Sequence, residues 1–220
     1  ALTRGMQGLC IRIARKLNAL TVAVVTRPFE FEGRIRALHA DNGIRELREC
    51  VDTLLVIPND RIFGVIEENA PADEAFRRVD DVLRQAVQSI SDIITMSGDI
   101  NVDLTDFRAI MTNAGEAHMG VGEAEGPGRA VEAARRAVSS PLLENASIEG
   151  ARGLLVNIMG SKRKLSLKDI DEAMGLINRS ASPEARIKMG KAYDDSLGDR
   201  IRITVVATGF PARKAKNSRI

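Results

Sequence analysis

A chain of 220 residues with 44% hydrophobic and 28% charged residues carries enough apolar material to bury a core, as one large domain or two small ones. A net charge of +2 is too small to imply a polyanionic partner. Six scattered Phe, one Tyr and no Trp do not make the stacking platform that single-stranded nucleic acid needs. The core is therefore aliphatic. Cys10 and Cys50 form no C-x-x-C, the two His add no metal pattern, and no apolar run approaches the ~20 residues of a membrane helix. A reduced cytoplasmic setting without membrane insertion or a signal peptide is expected. The first residue is Ala, so the sequence reads as lacking its initiator Met or as part of a longer chain.

In chain order, residues 5–17 read as a helix with Leu9, Ile13 and Leu17 on one face. Thr21 to Thr26 (TVAVVT) predicts a buried strand ended by Pro28. Residues 34–49 are an amphipathic helix carrying Ile35, Leu38, Ile44 and Leu47, and Thr53 to Ile57 (TLLVI) predicts a second buried strand stopped by Pro58-Asn59-Asp60. That alternation argues a parallel sheet with helices on its faces. The longest helical pattern covers about 72–95, with Phe76, Val79, Leu83, Val87, Ile90 and Ile94 at spacings of three and four; Ser97-Gly98 closes it. Such a helix spans ~36 Å, long enough to bridge two subdomains. A short helix follows from Leu104 to Met111. Residues 115–126 read as a Gly-punctuated strand, 129–138 as a helix and Leu154 to Met159 as a strand. Ser166 starts a helix with Asp169 in a capping-box position. Residues 184–194 and 200–208 are the last two strands, with Gly198-Asp199 in the turn between them. The second half is thus an α+β sandwich, helices on one face of a mixed sheet. The tail Arg213-Lys214-Ala215-Lys216, with Arg219, reads as a solvated basic end.

The residues most able to carry chemistry lie in the acidic turn Asn101-Val102-Asp103-Leu104-Thr105-Asp106. Asp103 stands where an N-cap would be and Asp106 is its i+3 neighbour, so both carboxylates project from one helix start, where the dipole favours their ionised form. Two such groups can orient and polarise a water or help to hold a cation. Seen alone, the same pattern also reads as ordinary capping.

Several long segments in one order resemble the FtsZ family, the bacterial relatives of tubulin: ALTVAVVTRPFEFEGRIR (19–36), VDTLLVIPNDR (51–61), AFRRVDDVLRQAVQSISDIIT (75–95), GDINVDLTDFRAIMTNAG (98–115), MGVGEA (119–124), RAVEAARRAVSSPLLE (129–144), ARGLLVNI (151–158) and SLGDRIRITVVATGF (196–210). The resemblance runs through nearly the whole chain to Phe210. It implies the fold: a partial Rossmann-like parallel-sheet GTPase subdomain over 1–71, a central linking helix over 72–97, an α+β two-layer sandwich with the acidic loop over 98–210, and a disordered basic tail over 211–220. It also implies that Asn101, Asp103 and Asp106 act in trans, entering the nucleotide pocket of the next subunit in a filament and promoting hydrolysis there, which needs an oriented water more than a covalent catalyst. Glu32 and Arg36 match positions that approach the ribose and phosphates. Asn59 and Asp81 match positions that face guanine, where a carboxylate accepts from N1 and N2 and an amide both donates and accepts. By themselves these four residues read as a helix-start pair, a turn residue and a polar helix face.

The cofactor so implied is GTP or GDP, with Mg as an accompanying ion. The partners implied are further copies, a full-length family member and division-ring proteins. The sequence departs from the family at the phosphate-binding Gly-rich turn, which falls on Ala1 to Gly5 (ALTRG) and keeps only Gly5. The family's earlier strands have no counterpart upstream, the adaptor-docking terminal peptide has none downstream, and Gly160-Ser161-Lys162-Arg163 replaces a Gly-Gly turn. A complete nucleotide site within this chain alone is therefore not expected. Two readings follow: a cell-division filament protein whose acidic loop serves a neighbour's GTP, or a degenerate non-catalytic relative that binds or caps filaments. A third is a truncated product whose open sheet edge invites aggregation.

Overall fold

Two apolar runs, Val22–Arg27 (β1) and Thr53–Pro58 (β2), form parallel strands in the computed structural model, paired from Val22 with Thr53 to Arg27 with Pro58. The structure describes residues 11, 13–14, 16–61, 71–95, 104–143 and 148–210. Helix α1 (Arg34–Arg48) makes the connection, and its Ile44 packs on Leu54 and Val56. Leu55 and Ile57 point to the opposite face because strand side chains alternate. There they meet Val79, Val82, Ala86 and Ile90 of the long helix α2 (Ala72–Thr95) and Phe107, Ile110 and Met111 of the short helix α3 (Leu104–Met111).

The remaining elements are β3 (Gly115–Ala124), α4 (Arg129–Val138), β4 (Gly153–Gly160), α5 (Leu167–Ser180), β5 (Arg186–Tyr193) and β6 (Ile201–Thr208). All six strands join one mixed sheet in the order β1-β2-β3-β6-β4-β5. Strand β3 is the joint. Its first residues, Gly115 to Ala117, pair in parallel with β2, while His118 to Ala124 pair antiparallel with β6. Helices α4 and α5 cover the far half of the sheet through Ala130, Ala133, Ala134, Ala137, Ala173 and Ile177 against Leu154, Val156, Ile158, Ile203 and Val205. On the other face, Leu155 and Val206 belong to the cluster under α2 and α3. The central helix therefore packs against strands from both halves of the chain.

Gly198-Asp199 lies in the connection between β5 and β6 as expected, and β4 lies between those two strands, parallel to the first and antiparallel to the second. Two details differ from the expectations above. The buried stripe of α2 is Val79, Val82, Ala86 and Ile90, while Phe76 and Val87 are 49% and 54% exposed on its flank. The side chain of Ile94 lies outside the described residues. Of the first expected helix, residues 11, 13, 14 and 16 are helical, but Ile13 and Leu17 face solvent; Leu9 lies outside the described residues.

The capping box at the start of α5 forms as its sequence directs. Ser166 Oγ accepts from the Asp169 amide at 3.1 Å, and Asp169 accepts from the Ser166 amide at 3.0 Å. Asp169 does more than cap. Arg129, the first residue of α4, places Nη2 3.0 Å from its carboxylate and donates to the carbonyls of Asp199 and Lys164, each at 2.6 Å. One guanidinium thus ties two helix starts to two turns. Burial pushes the Asp169 pKa up, but the hydrogen bonds from Arg129 and Ser166 outweigh it and leave the group below its usual value. Arg129→Met is expected to cost about 2–3 kcal/mol, under the cost at a fully buried pair because 15% of each side chain stays exposed. Because the folded pKa is depressed, the stabilisation is present above the unfolded value of about 3.9 and is lost as pH falls through the folded one. Urea unfolding at pH 7 and at successively lower pH checks both: the acid-side loss of stability should be shallower in Arg129→Met.

Candidate functional site

The expected site residues separate to two ends of the parallel strands. At the carboxyl ends of β1 and β2, where open α/β sheets place ligands, two turns meet. The chain after β1 makes a tight helical turn, Glu30–Glu32, then passes Gly33 at φ +95°, a conformation that glycine adopts without strain, into α1. Asn59 to Arg61 continue β2 into a similar turn. Asp60 accepts from the Glu30 amide at 3.1 Å and so ties the two together. Glu32 is held by Arg36 and by the Phe29 amide at 3.0 Å; these bonds, Arg36 first, keep its carboxyl below the usual range. Glu32 and Arg36 therefore form one ionised pair at the lip of this end.

Asn59 is only 7% exposed, and its Oδ1 has no hydrogen-bond partner among the described residues. A buried acceptor left unpaired costs about 1–3 kcal/mol. Asn59→Leu is therefore expected to leave the unfolding free energy unchanged or to raise it by up to about 1 kcal/mol, read from urea unfolding; a loss above 1 kcal/mol would mean that the amide has a structural partner. Beside this end lies an aromatic cluster that sequence reasoning misses. Phe29 is buried, stacks on Phe31 with centroids 4.9 Å apart, and takes the edge of Phe76 at 5.8 Å. Phe31 is 69% exposed, so flat apolar surface stands next to the polar groups. The signal that could have found it is the alternation Phe29-Glu30-Phe31-Glu32 directly after a strand.

Asp81, on α2, is loosely paired with Arg84 at 3.4 Å and lines a cleft of about 750 Å3 with Gln85, Glu123, Arg200 and Arg202. Gly5 lies outside the described residues. Among the described residues no group of three or more His, Cys, Asp or Glu is placed to hold a metal ion, and no helix is long and apolar enough to cross a membrane.

Of the acidic turn, Asn101 and Asp103 fall outside the described residues, and Asp106 stands in the first turn of α3. That helix is fixed below the amino ends of the strands. Phe107, Ile110 and Met111 are buried, Thr53 Oγ1 donates to the Met111 carbonyl at 2.5 Å, and Thr208 Oγ1 donates to the Ile110 carbonyl at 3.3 Å. Asp106 keeps 39% of its side chain exposed and accepts from Lys188 Nζ of β5 at 2.6 Å. The helix start that offers a carboxylate to solvent is thus anchored by a fully buried opposite face.

Known proteins share this arrangement. Residues 4–67 match the tubulin/FtsZ family GTPase domain, and residues 115–211 match the FtsZ family C-terminal domain. An empty FtsZ dimer from M. jannaschii is 40% identical, with a TM-score of 0.85 over 90% of this chain and 57% of that one. A mutant of the same FtsZ gives 40% identity and a TM-score of 0.85, covering 91% of this chain and 59% of that one. GDP-bound CetZ1 from Haloferax volcanii, at 18% identity and a TM-score of 0.72 over 92% of this chain and 59% of its own, shares the fold. The chain spans less than two thirds of each of these structures. With both family regions in order along one sheet, and 40% identity to a solved member, the chain belongs to the FtsZ family of tubulin-like proteins.

Proposed function

We propose that this chain is an FtsZ-type cytoskeletal protein of the cell-division apparatus, assembling head to tail in a GTP-dependent filament. In this reading Asn101, Asp103 and Asp106 promote hydrolysis of the nucleotide on the adjacent subunit. The observation that carries it is the separation of the two candidate clusters. Asn59 follows the carboxyl end of β2, while Thr53 at its amino end bonds the last residue of α3. Five strand steps make about 17 Å between those ends. With Asn59 and the anchor of α3 at opposite ends of β2, two copies stacked end over end bring the α3 end of one to the Asn59 end of the next. Such a contact is heterologous and leaves both outer ends open, which generates filaments rather than closed dimers.

The described residues suit the base and ribose end of a guanine nucleotide. Asn59 Oδ1, unpaired among the described residues, can take a donor, and guanine carries them. The rings of Phe31 and Phe76 offer flat apolar surface nearby, and Glu32 with Arg36 supplies polar groups at the lip. Asp81 joins this set only if the nucleotide reaches toward the α2 cleft. Hydrolysis forms one bond from a water oxygen to the γ-phosphorus and breaks the one to the bridging oxygen, releasing GDP and phosphate. The acidic turn's part is to hold that water in line and receive its proton. Within this reading residues 1–71 contribute the nucleotide face, 72–97 the link and 98–210 the acidic face. Work in the cytoplasm at the division site, with other ring components, belongs to the same proposal.

The sequence ALTRG in place of a Gly-rich turn favours a second reading: a chain that presents its acidic face without holding GTP. Equilibrium binding of labelled GTP separates the two. Micromolar binding that weakens at least about tenfold in Asn59→Leu supports the first; no binding, with retained co-sedimentation alongside M. jannaschii FtsZ, supports the second; neither binding nor co-sedimentation overturns both.

A further inference from the structure

We propose that Lys188 is a positioning residue for the acidic turn, its ammonium aiming the Asp106 carboxylate and offsetting its charge as a neighbour's polyphosphate approaches. This rests on the proposed function above. Lys188 lies 82 residues from Asp106, on the outermost strand of the sheet, yet its Nζ reaches the carboxylate at 2.6 Å. Strand β5 fixes where the lysine starts, because Lys188 is registered against Leu155, which is fully buried beneath α3. Buried Phe107 and Ile110 fix where the carboxylate starts. Two rigid elements thus converge on one ion pair at the exposed face. Both side chains are 39% exposed, and a pair so wetted adds little to folding. Its geometry is better explained by what it does to the carboxylate. An acidic turn meant to approach a triphosphate meets like charge. A lysine beside it reduces that repulsion and holds the carboxylate in one orientation.

The test mixes this chain with full-length M. jannaschii FtsZ whose own acidic turn is disabled, and reads GTP turnover and co-sedimentation. Lys188→Met is expected to lower turnover at saturating GTP about tenfold, with KM, co-sedimentation and the unfolding midpoint unchanged, and Lys188→Arg to restore most of it. Lysine acetylation followed by mass spectrometry reads the pair without any activity: Asp106→Asn should raise the labelling rate of Lys188 several-fold over that of Lys191. Unchanged or faster turnover in Lys188→Met, while Asp106→Ala in the same mixture is inactive, overturns the role of Lys188 and leaves the in-trans reading standing. Asp106→Ala without effect overturns both.

Discussion

Replacing Gly122 with alanine is expected to lower the unfolding free energy by about 3 kcal/mol or more, at the upper end of what overpacking costs. A Cβ there would stand 2.0 Å from the Ala133 carbonyl oxygen, 2.5 Å from the Ala137 amide nitrogen and 2.9 Å from Arg136 Cβ. Gly120 is in the same position, with the Ala137 carbonyl oxygen 2.0 Å away. The obstacles are helix backbone, so no rotamer change relieves them. Helix α4 must lift from β3, and with it go the buried contacts of Ala130, Ala133, Ala134 and Ala137. The cost exceeds that of a lost methyl because the sheet and helix are fitted small residue to no residue, the closest approach two elements can make. Lifting α4 also disturbs Arg129 at its start, and so the Asp169 and Asp199 contacts. The matched control is Gly43→Ala inside α1, where nothing lies within 4 Å of the added carbon. There alanine should raise stability by about 0.5–1 kcal/mol. Urea midpoints of the two variants decide it; a loss under 0.5 kcal/mol at Gly122 would mean that the helix floats on the sheet.

Local features are legible in the residues themselves. The runs around Val22–Thr26 and Thr53–Ile57 announce strands because β-branched and aliphatic residues flanked by Pro have few other homes, and Ser166 with Asp169 announces its helix start. Long-range order is not. Nothing in RIRITVVAT says that β6 will pass over β4 to lie between β3 and β4, since strand partners are chosen by the whole sheet. Periodicity alone misplaces the stripe of α2 by about a sixth of a turn because Phe76 and Val87 are as apolar as Val82 and Ala86; only the packing shows which row is buried. At the site, the acidic turn is visible as a motif, yet the lysine partner of Asp106 is a property of three dimensions. Asn59 itself reads as a turn residue; what marks it is the missing hydrogen bond, which no sequence shows.

The placement of Asn59 and the anchor of α3 at opposite ends of β2 makes a second large effect predictable at Asp106. Suppose M. jannaschii FtsZ with a disabled acidic turn is mixed in equal amount with this chain. Every subunit of the relative then has a nucleotide face but no working turn, and every copy of this chain offers a turn. In a random head-to-tail series about a quarter of the interfaces place one of the relative's nucleotide faces against an intact turn, so the turnover gained over the separate chains should be about a quarter of the wild-type value at equal total subunits, and more if unlike neighbours are preferred. Asp106→Ala in this chain should remove the rescue, lowering turnover about 10²- to 10³-fold toward the disabled background, as expected for a group that orients or deprotonates the attacking water. Co-sedimentation should persist, because the change deletes one half-exposed carboxylate and leaves buried Phe107, Ile110 and Met111 in place. If the turn instead acted within its own subunit, the disabled relative would gain nothing from the mixture, and turnover would not rise above what this chain shows by itself. The two geometries therefore differ in whether mixing restores turnover beyond the sum of the separate chains, and the persistence of co-sedimentation in Asp106→Ala distinguishes lost chemistry from lost assembly.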